Sequence, residues 1–246
     1  MKILRNSRFT PLLRVLHSNV VSAKLNYKAS KENIVFIWIP KSAGSSVFNF
    51  LSDELCMQKR KRLKHCLSFP NRGAVTFGHV SYQQLLRLGA VGKDFHANAY
   101  KFCVVRNPYA RAVSAYNYLI QINRVNAEKT FNQFLHDVHL FREPIGLYNK
   151  LGISQANPQA DWVVGEDGKL LVDDVFKVEE LDVFAKEIKK RYNANFNPRV
   201  RINESKKKLS IDEAYSDKEC AELVRIIYKR DFDLFEYPED IVPSKE

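Results

Sequence analysis

Unbroken apolar runs alternate along this chain with stretches in which apolar residues recur at helical spacing. All six residues of 34–39, IVFIWI, are apolar and four are Ile or Val, which is typical of a strand buried on both faces. The run 100–105 predicts a second buried strand, and 74–77 and 175–178 predict shorter ones. The hydrophobic pattern therefore predicts four strands spread over most of the chain.

Helices are predicted between these strands. Asn107 can cap a helix, Pro108 suits its first position, and the apolar residues that follow have helical spacing. The predicted helices cover about 44–56, 81–88, 108 onward, 130–138, 179–192 and 217–230. Such alternation predicts an α/β fold with a mainly parallel central sheet and helices on both faces.

The loop after the first predicted strand has the composition of a phosphate-binding site. Pro40 and Lys41 precede the small residues 42–46, which open a helix. Small residues let backbone N–H groups approach an anion, and the helix N-terminus adds positive potential to that of the lysine. A Walker A loop has its lysine after the second glycine, whereas Lys41 precedes Gly44, the one glycine of this loop. The loop therefore predicts a phosphate site that differs from those of ordinary ATPases and GTPases.

A second candidate phosphate contact follows the strand 100–105. Arg106 stands at the strand end, where a guanidinium can bind phosphate with two hydrogen bonds, and Ser114 lies about two turns into the next helix. Ligands of open α/β sheets bind at the carboxyl ends of strands, so both loops are expected to face one crevice. Arg111, in the same helix, has two interpretations: support of the phosphate or a place on the surface.

Composition and charge narrow the class of protein. A chain of 246 residues, 45% hydrophobic, is long enough for one sizeable α/β domain. Its net charge of +11 favours an anionic partner, although a solvated basic surface explains the charge equally well. The basic stretches 59–64 and 206–208 can attract an acidic glycan or belong to that solvated surface. Aromatic residues do not interleave with them, which argues against nucleic acid.

Cysteine spacing and hydropathy bear on the compartment. The cysteines are widely spaced without a C-x-x-C pair, so neither a metal site nor a redox motif is predicted; they are Cys56, Cys66, Cys103 and Cys220. The first two remain able to pair. No stretch reaches the length of a membrane span, and we expect a cytoplasmic protein whose basic N-terminal arm, 1–32, can contact a membrane surface. The domain is predicted to cover 33–238, followed by a tail, 239–246.

Several motifs together resemble the sulfotransferases that use 3′-phosphoadenosine 5′-phosphosulfate (PAPS), with the heparan and chondroitin carbohydrate enzymes as the nearest branch. PKSAGSS, 40–46, resembles their 5′-phosphosulfate loop, and VRNPYARAVSAY, 105–116, resembles their 3′-phosphate segment. Weaker matches extend the likeness over about 33–237. The resemblance implies a P-loop-like three-layer sandwich and PAPS as sulfuryl donor. The residues that it implies for cofactor binding are Lys41, Ser42, Ala43, Gly44, Ser45, Ser46, Arg106, Arg111, Ser114, Asn203 and Ser205.

The same resemblance singles out a catalytic base. GHVSY, 78–82, resembles the stretch that holds the catalytic histidine of uronyl 2-O-sulfotransferases, which makes His79 the candidate to take the proton of an acceptor hydroxyl. Taken alone, a histidine after a glycine is more often structural. Some of those enzymes carry a second histidine two positions earlier, where this chain has Phe77, and this weakens any inference to uronic acid.

The expected activity is transfer of a sulfuryl group from PAPS to a hydroxyl, with a carbohydrate as the expected acceptor and without a metal. Lys41 would stabilise the charge on the leaving group, and 3′-phosphoadenosine 5′-phosphate (PAP) would be released. The first alternative is a nucleotide-dependent kinase; the absence of the Walker lysine position and of an acidic magnesium motif counts against it. The second is a non-enzymatic basic protein that binds acidic polymers. The sequence leaves the identity of the acceptor and the oligomeric state open.

Overall fold

A computed structural model describes residues 32–60, 66, 69, 71–142, 153–197 and 209–240. The predicted N-terminal arm, apart from residue 32, and most of the predicted C-terminal tail lie outside these residues. The predicted boundaries of the domain therefore stay predictions. None of the helices in the described part of the chain is both long and apolar enough to cross a membrane.

The centre of the molecule is a five-stranded sheet in which each neighbouring pair of strands is parallel. Its strands are β1 (Ile34–Trp38), β2 (Gln58–Arg60), β3 (Ala74–Gly78), β4 (Tyr100–Val105) and β5 (Asp174–Lys177), in the order β2-β3-β1-β4-β5. In this register Trp38 stands opposite Gly78, and Ile37 stands opposite both Phe77 and Cys103. The carboxyl ends of β3, β1 and β4 therefore lie side by side at one edge of the sheet.

Helices cover both faces of this sheet. They are α1 (Gly44–Leu55), α2 (Tyr82–Arg87), α3 (Lys93–Asn98), α4 (Pro108–Gln121), α5 (Phe131–Leu140), α6 (Ala160–Val163), α7 (Leu181–Tyr192), α8 (Ile211–Ala214) and α9 (Lys218–Phe235). Because strand side chains alternate, Val35 and Ile37 pack with α2, α4, α5 and α9, whereas Phe36 and Trp38 pack with α1 and α7. The result is the predicted three-layer sandwich, with β1 and β4 buried on both faces.

The sequence predictions agree with these elements except at one edge of the sheet and in three short helices, α3, α6 and α8, which were not predicted. The four predicted strands and six predicted helices are present, with ends displaced by a few residues. The sequence analysis missed β2, because its three residues, QKR, are polar or charged and show no strand periodicity. Charged residues on a short edge strand are a common way to prevent a further chain from pairing with it. The first residues of the basic stretch 59–64 thus belong to the sheet.

The order in which successive strands are added to the sheet reverses between β1 and β4. From β1 it continues through α1 to β2 and β3 on one side, and from β4 it continues to β5 on the other side. Two loops that leave neighbouring strands in opposite directions open a crevice at the carboxyl edge. This point of the fold is the expected place for a ligand.

Candidate active site

Three neighbouring strands deliver the predicted site residues to the same edge of the sheet. Lys41 follows β1, Arg106 follows β4, and His79 follows β3 on the other side of β1. Adjacent strands lie about 5 Å apart, so these residues start from backbone positions within about 10 Å of one another. Lys41 and Arg106 thus lie at the same edge of the sheet, close enough for their charges to interact.

The loop 40–46 has a strained backbone. Lys41 and Ala43 have φ angles of 65° and 54°, in the left-handed region that costs residues with a Cβ about 1 kcal/mol or more. Ala43 is the N-cap of α1 but has no side chain that can cap the helix. The amides at the start of α1 therefore lack the side-chain acceptor that an Asn or Ser in that position would offer. Such a helix start is suited to an anion.

Gly44 lets this helix start lie directly against an indole ring. A Cβ atom on Gly44 would stand 2.0 Å from Nε1 of Trp38, whose side chain is almost completely buried. Phe48, one turn further along α1, stacks on the same indole at 5.7 Å between ring centroids. The position of the loop relative to the sheet is therefore fixed by packing of α1 on Trp38.

Lys41 lies in a field of positive charge. Burial, together with repulsion from Arg106 and Arg111, lowers the pKa of Lys41 from 10.5 to about 8. Its ammonium lies 4.1 Å from the ring centroid of Tyr118, which stabilises the cation where other cations repel it. An anion bound here would remove this repulsion. The arrangement favours a ligand with more than one negative charge.

The segment 106–114 is, in contrast, regular. Asn107 caps α4 by accepting a hydrogen bond from the amide of Tyr109 at 3.0 Å, and Pro108 occupies the first helical turn, as predicted. The amide of Asn107 donates to Glu179 at 2.9 Å. Ala110, Ser114 and Tyr118, each one turn apart, are the partly exposed positions of an otherwise largely buried stretch of α4. Side chains, rather than amides, are what this segment offers to a ligand.

Arg111 has a structural role that neither sequence interpretation described. It is 1% exposed, so of the two interpretations the one that placed it on the surface is wrong. Its guanidinium donates to three backbone carbonyls: Pro40 at 3.0 Å, Asn157 at 2.9 Å and Gln155 at 2.8 Å. Arg111 therefore holds the beginning of the loop 40–46 against the segment around 155–157. Its direct contact with a nucleotide stays a prediction, whereas its electrostatic effect on Lys41 is evident.

His79 stands at the end of β3 in a strained conformation. Its φ angle is 61°, and its amide donates to the carbonyl of Trp38 at 3.2 Å. Its imidazole lies 5.6 Å from the Trp38 indole, between ring centroids. Of the described non-glycine residues with positive φ, the others are helix C-caps or asparagines: Cys56, Asn71, Asn123, Asn193 and Glu236. The described non-glycine residues that have a positive φ angle without being a helix C-cap or an asparagine are thus Lys41, Ala43 and His79.

Two residues near His79 bear on its predicted role as a base: Phe77 precedes it by two positions, and Lys59 lies on the neighbouring strand β2. Phe77 is fully buried against Phe69 and Tyr82, so this position points into the core and cannot offer a second base. Lys59, on the edge strand β2, has its ammonium 3.5 Å from the centroid of the Trp38 ring, which His79 also contacts. A positive charge therefore lies against the same indole ring as the imidazole of His79.

Gln159 is a site residue that the sequence analysis missed. It lies in the segment QANPQA, 155–160, which the resemblance covered only as a weak match. Its side-chain Oε1 accepts from the hydroxyl of Ser42 at 3.0 Å and from the amide of Arg106 at 2.8 Å, and its Nε2 donates to the carbonyl of Arg106 at 2.8 Å. This fully buried amide therefore connects both phosphate loops. No local pattern in the sequence identifies such a contact.

Two predicted cofactor residues, Asn203 and Ser205, lie outside the described residues. The chain resumes at Leu209, whose backbone N–H and C=O both pair with the side chain of Asn117 on α4, at 3.2 and 3.0 Å. Leu209, four residues after Ser205, is thus fixed to α4, the helix that carries Ser114.

Among the residues that the structure describes, no cluster of His, Cys, Asp or Glu is suited to a metal ion.

The four cysteines are free thiols. Burial raises the pKa of Cys66 to about 11, so this thiol stays protonated at neutral pH. Cys56 is exposed and Cys66 is buried, and they are not joined in a disulfide.

Comparison with known proteins identifies the family. The sequence model of the sulfotransferase family matches residues 27–151, which include both phosphate loops and His79. Two solved structures are also similar. A sulfotransferase from Alicyclobacillus acidocaldarius is 17% identical, with 85% of this chain and all of that one covered at a TM-score of 0.43. Mouse sulfotransferase SULT7A1, complexed with PAP, is 18% identical, with 94% and 72% covered at a TM-score of 0.42. No curated protein matches the chain significantly.

In an open parallel sheet, ligands bind at the switch point, which is where the two predicted phosphate loops meet in this protein. Because the family match spans about half of the chain, this protein belongs to the sulfotransferase family. It is therefore an enzyme that transfers a sulfuryl group to an acceptor.

Proposed function

We propose that this sulfotransferase takes its sulfuryl group from PAPS and transfers it to a hydroxyl of a carbohydrate. The observation that carries the proposal is the convergence of Lys41, Arg106 and the uncapped start of α1 at one crevice. PAPS carries anionic groups at both the 3′ and 5′ positions of one adenosine. Two cationic loops on neighbouring strands match such a donor better than they match a ligand with one phosphate chain.

Each part of the crevice has a distinct role in this proposal. Lys41 and the amides of 44–46 bind the 5′-phosphosulfate, and Arg106 with Ser114 binds the 3′-phosphate. The acceptor oxygen attacks sulfur while the bond from sulfur to the bridging oxygen of the phosphate breaks. The hydroxyl proton passes to His79, and the products are PAP and a sulfate ester. Lys41 stabilises the negative charge that develops on the leaving phosphate.

The acceptor is proposed to be acidic. Lys59 contributes a positive charge beside the indole that His79 contacts, and an anionic carbohydrate would be attracted to it. The free thiols support a reducing compartment, and the cytoplasm is the location that we propose. Asn203 and Ser205 are retained as proposed contacts of the nucleotide.

The experiment that tests this function combines turnover and binding. Purified protein is incubated with labelled PAPS and a panel of neutral and acidic glycans, and PAP binding is measured by calorimetry. Lys41→Ala is expected to lower turnover by about 10³-fold, in the range seen for loss of a transition-state charge stabiliser. His79→Ala is expected to lower turnover by about 10²-fold or more while PAP affinity changes little.

A matched control is His96→Ala, because His96 lies on α3 and contacts Tyr82 rather than the crevice. Its turnover should remain near that of the unmodified enzyme. Near-normal rates for His79→Ala would place the base elsewhere. Equal stabilisation of the protein by PAP and by ADP would contradict the choice of PAPS as donor.

A further inference from the structure

A buried side chain, that of Gln159, joins the strand-end residue Arg106 to Ser42 of the other phosphate loop. Gln159 pairs with both backbone groups of Arg106 and, through the same Oε1 atom, accepts from the hydroxyl of Ser42. Gln159 and Ser42 are each at most 1% exposed, so water does not compete for these hydrogen bonds. Losing one partner would leave a buried polar group unsatisfied, which is costly. The backbone of Arg106 and the side chain of Ser42 therefore move together or not at all.

The backbone of Gln159 is fixed to helix α9. The carboxylate of Asp231, on α9, accepts from the amides of Gln159 at 2.7 Å and of Ala160 at 2.9 Å. The hydroxyl of Tyr228, one turn earlier on α9, donates to the carbonyl of Ala156 at 2.6 Å. Burial raises the pKa of Asp231 to about 6, against the opposing effects of Arg111 and these amides, so the carboxylate is mostly charged at neutral pH. The segment 155–160 is thus anchored to α9.

A second connection runs beside the first. From α4, Arg111 donates to Pro40 as well as to Gln155 and Asn157, so the start of the loop 40–46 rests on the same segment. Arg111, which is itself part of the segment 106–114, thus also joins the two phosphate loops directly. Arg111 reaches Pro40 through the interior of the protein, whereas Gln159 links Ser42, which adjoins Lys41, to Arg106.

We propose that Gln159 couples the two halves of the nucleotide site, so that occupation of the 3′-phosphate position organises the 5′-phosphosulfate loop. This inference rests on the proposed use of PAPS. Lys41 and Ala43 on either side of Ser42 have strained φ angles, so the loop gains from any contact that holds its conformation. A phosphate that fixes the backbone of Arg106 also fixes the amide of Gln159 and, through it, Ser42. Gln159 is thus a positioning residue that favours a donor with a 3′-phosphate.

The coupling can be measured with a probe that fills one position only. Adenosine 3′-monophosphate carries the 3′-phosphate, and adenosine, which has no phosphate, is the reference. Hydrogen exchange of the enzyme is expected to slow at 106–114 and also at 40–46 when the 3′-monophosphate binds. In Gln159→Met, which has a similar volume but no amide, the slowing at 40–46 should fall by about fivefold or more, the range of typical coupling between sites.

Binding affinities supply a second readout that general destabilisation would not change. The ratio of dissociation constants for adenosine 5′-monophosphate and PAP reports the benefit of the 3′-phosphate when the 5′ position is filled. We expect Gln159→Met to lower this ratio by about fivefold. Should that variant fail to fold, Ser42→Ala removes only the hydroxyl of the connection and is expected to lower the ratio in the same direction.

The chain offers a matched control in Asn117. This buried amide pairs with both backbone groups of Leu209, as Gln159 pairs with Arg106. Asn117→Leu should therefore cost comparable stability yet keep the effect of the 3′-monophosphate on 40–46. Equal slowing at 40–46 in Gln159→Met and in the unmodified enzyme would overturn the coupling and leave the proposed function intact. Absence of any protection of either loop by PAP would instead overturn the proposed function, and the coupling with it.

Discussion

The two phosphate loops lie on neighbouring strands but achieve their positions by different means. The loop 40–46 combines two strained residues with a helix start that no side chain caps. The segment 106–114 starts with a capped helix, a proline in its first turn and amides that already have acceptors in the protein. One loop offers backbone groups and a lysine, and the other offers a guanidinium and a hydroxyl.

This difference indicates which kind of change each loop tolerates. A site made from backbone groups depends on close packing, and a change of side-chain volume disturbs it even when no functional atom is lost. A site made from side chains on a regular helix depends on those side chains alone. Damage to the first loop should therefore appear in stability and in pH dependence, and damage to the second in affinity for one phosphate.

The largest expected effect on nucleotide binding comes from the regular segment. Arg106→Ala removes a charged hydrogen-bond donor, a loss of up to about 3 kcal/mol, so the affinity for PAP should fall by about 100-fold. Affinity for adenosine 5′-monophosphate, which lacks the 3′-phosphate, should change little. Calorimetry with the two nucleotides measures both values. Equal losses for both ligands would contradict the assignment of Arg106 to the 3′ position.

A control separates this contact from the overall positive charge. Arg87→Ala removes the same charge from an exposed ion pair with Glu166. Because exposed charges are screened by salt, this variant should bind PAP almost normally at physiological ionic strength. A comparable loss in Arg87→Ala would mean that net charge, rather than a specific contact, governs the affinity.

A smaller but distinct effect is expected from the packed loop. In Gly44→Ala the new methyl group would overlap the buried Trp38 indole, so the free energy of unfolding should fall by about 2 kcal/mol or more. Chemical denaturation measures this change. Gly92→Ala is the matched control: its methyl group would also meet a neighbour, but that neighbour is the exposed side chain of Asn71, which can rotate away with the loss of one exposed hydrogen bond from the amide of Gly92. A neutral Gly44→Ala would contradict the packing of α1 on Trp38.

The strands and helices were predictable because their cause is local. The run 34–39 and the spacing along α4 specify a buried strand and a helix whatever the rest of the chain does. The strand β2 was not predictable, since its three polar residues form a strand only because β3 lies beside them. The elements with a strong hydrophobic pattern were thus predicted, whereas β2, which depends on its neighbour, and the short helices α3, α6 and α8 were missed.

The candidate site divides in the same way. The two loops and His79 follow strand ends, so their meeting at one edge follows from a parallel sheet. The role of Arg111 as a donor to three carbonyls, and that of Gln159, depend on segments about 45 residues apart or more in the chain. Contacts at such separations leave no local pattern. What connects the loops was therefore beyond the sequence, although the loops themselves were not.

The smallest expected effect is a pH dependence of the affinity for PAP. It arises from the charge of Lys41 in one loop and not from Arg106 in the other. The pKa of free Lys41 is about 8, because burial and the neighbouring guanidinium groups disfavour its charged form. A bound phosphate favours that form and raises the pKa in the complex. Between these two pKa values the free enzyme must take up a proton to bind, so affinity for PAP should fall as pH rises above about 8, by at most about tenfold per unit.

Calorimetry from pH 7 to 9.5 measures the slope of PAP affinity against pH, and phosphate groups are almost fully ionised over this range. In Lys41→Arg the slope should disappear, since a guanidinium keeps its charge throughout and Arg106 contributes none. Persistence of the slope in Lys41→Arg would assign the titration to another group and remove the electrostatic distinction between the loops.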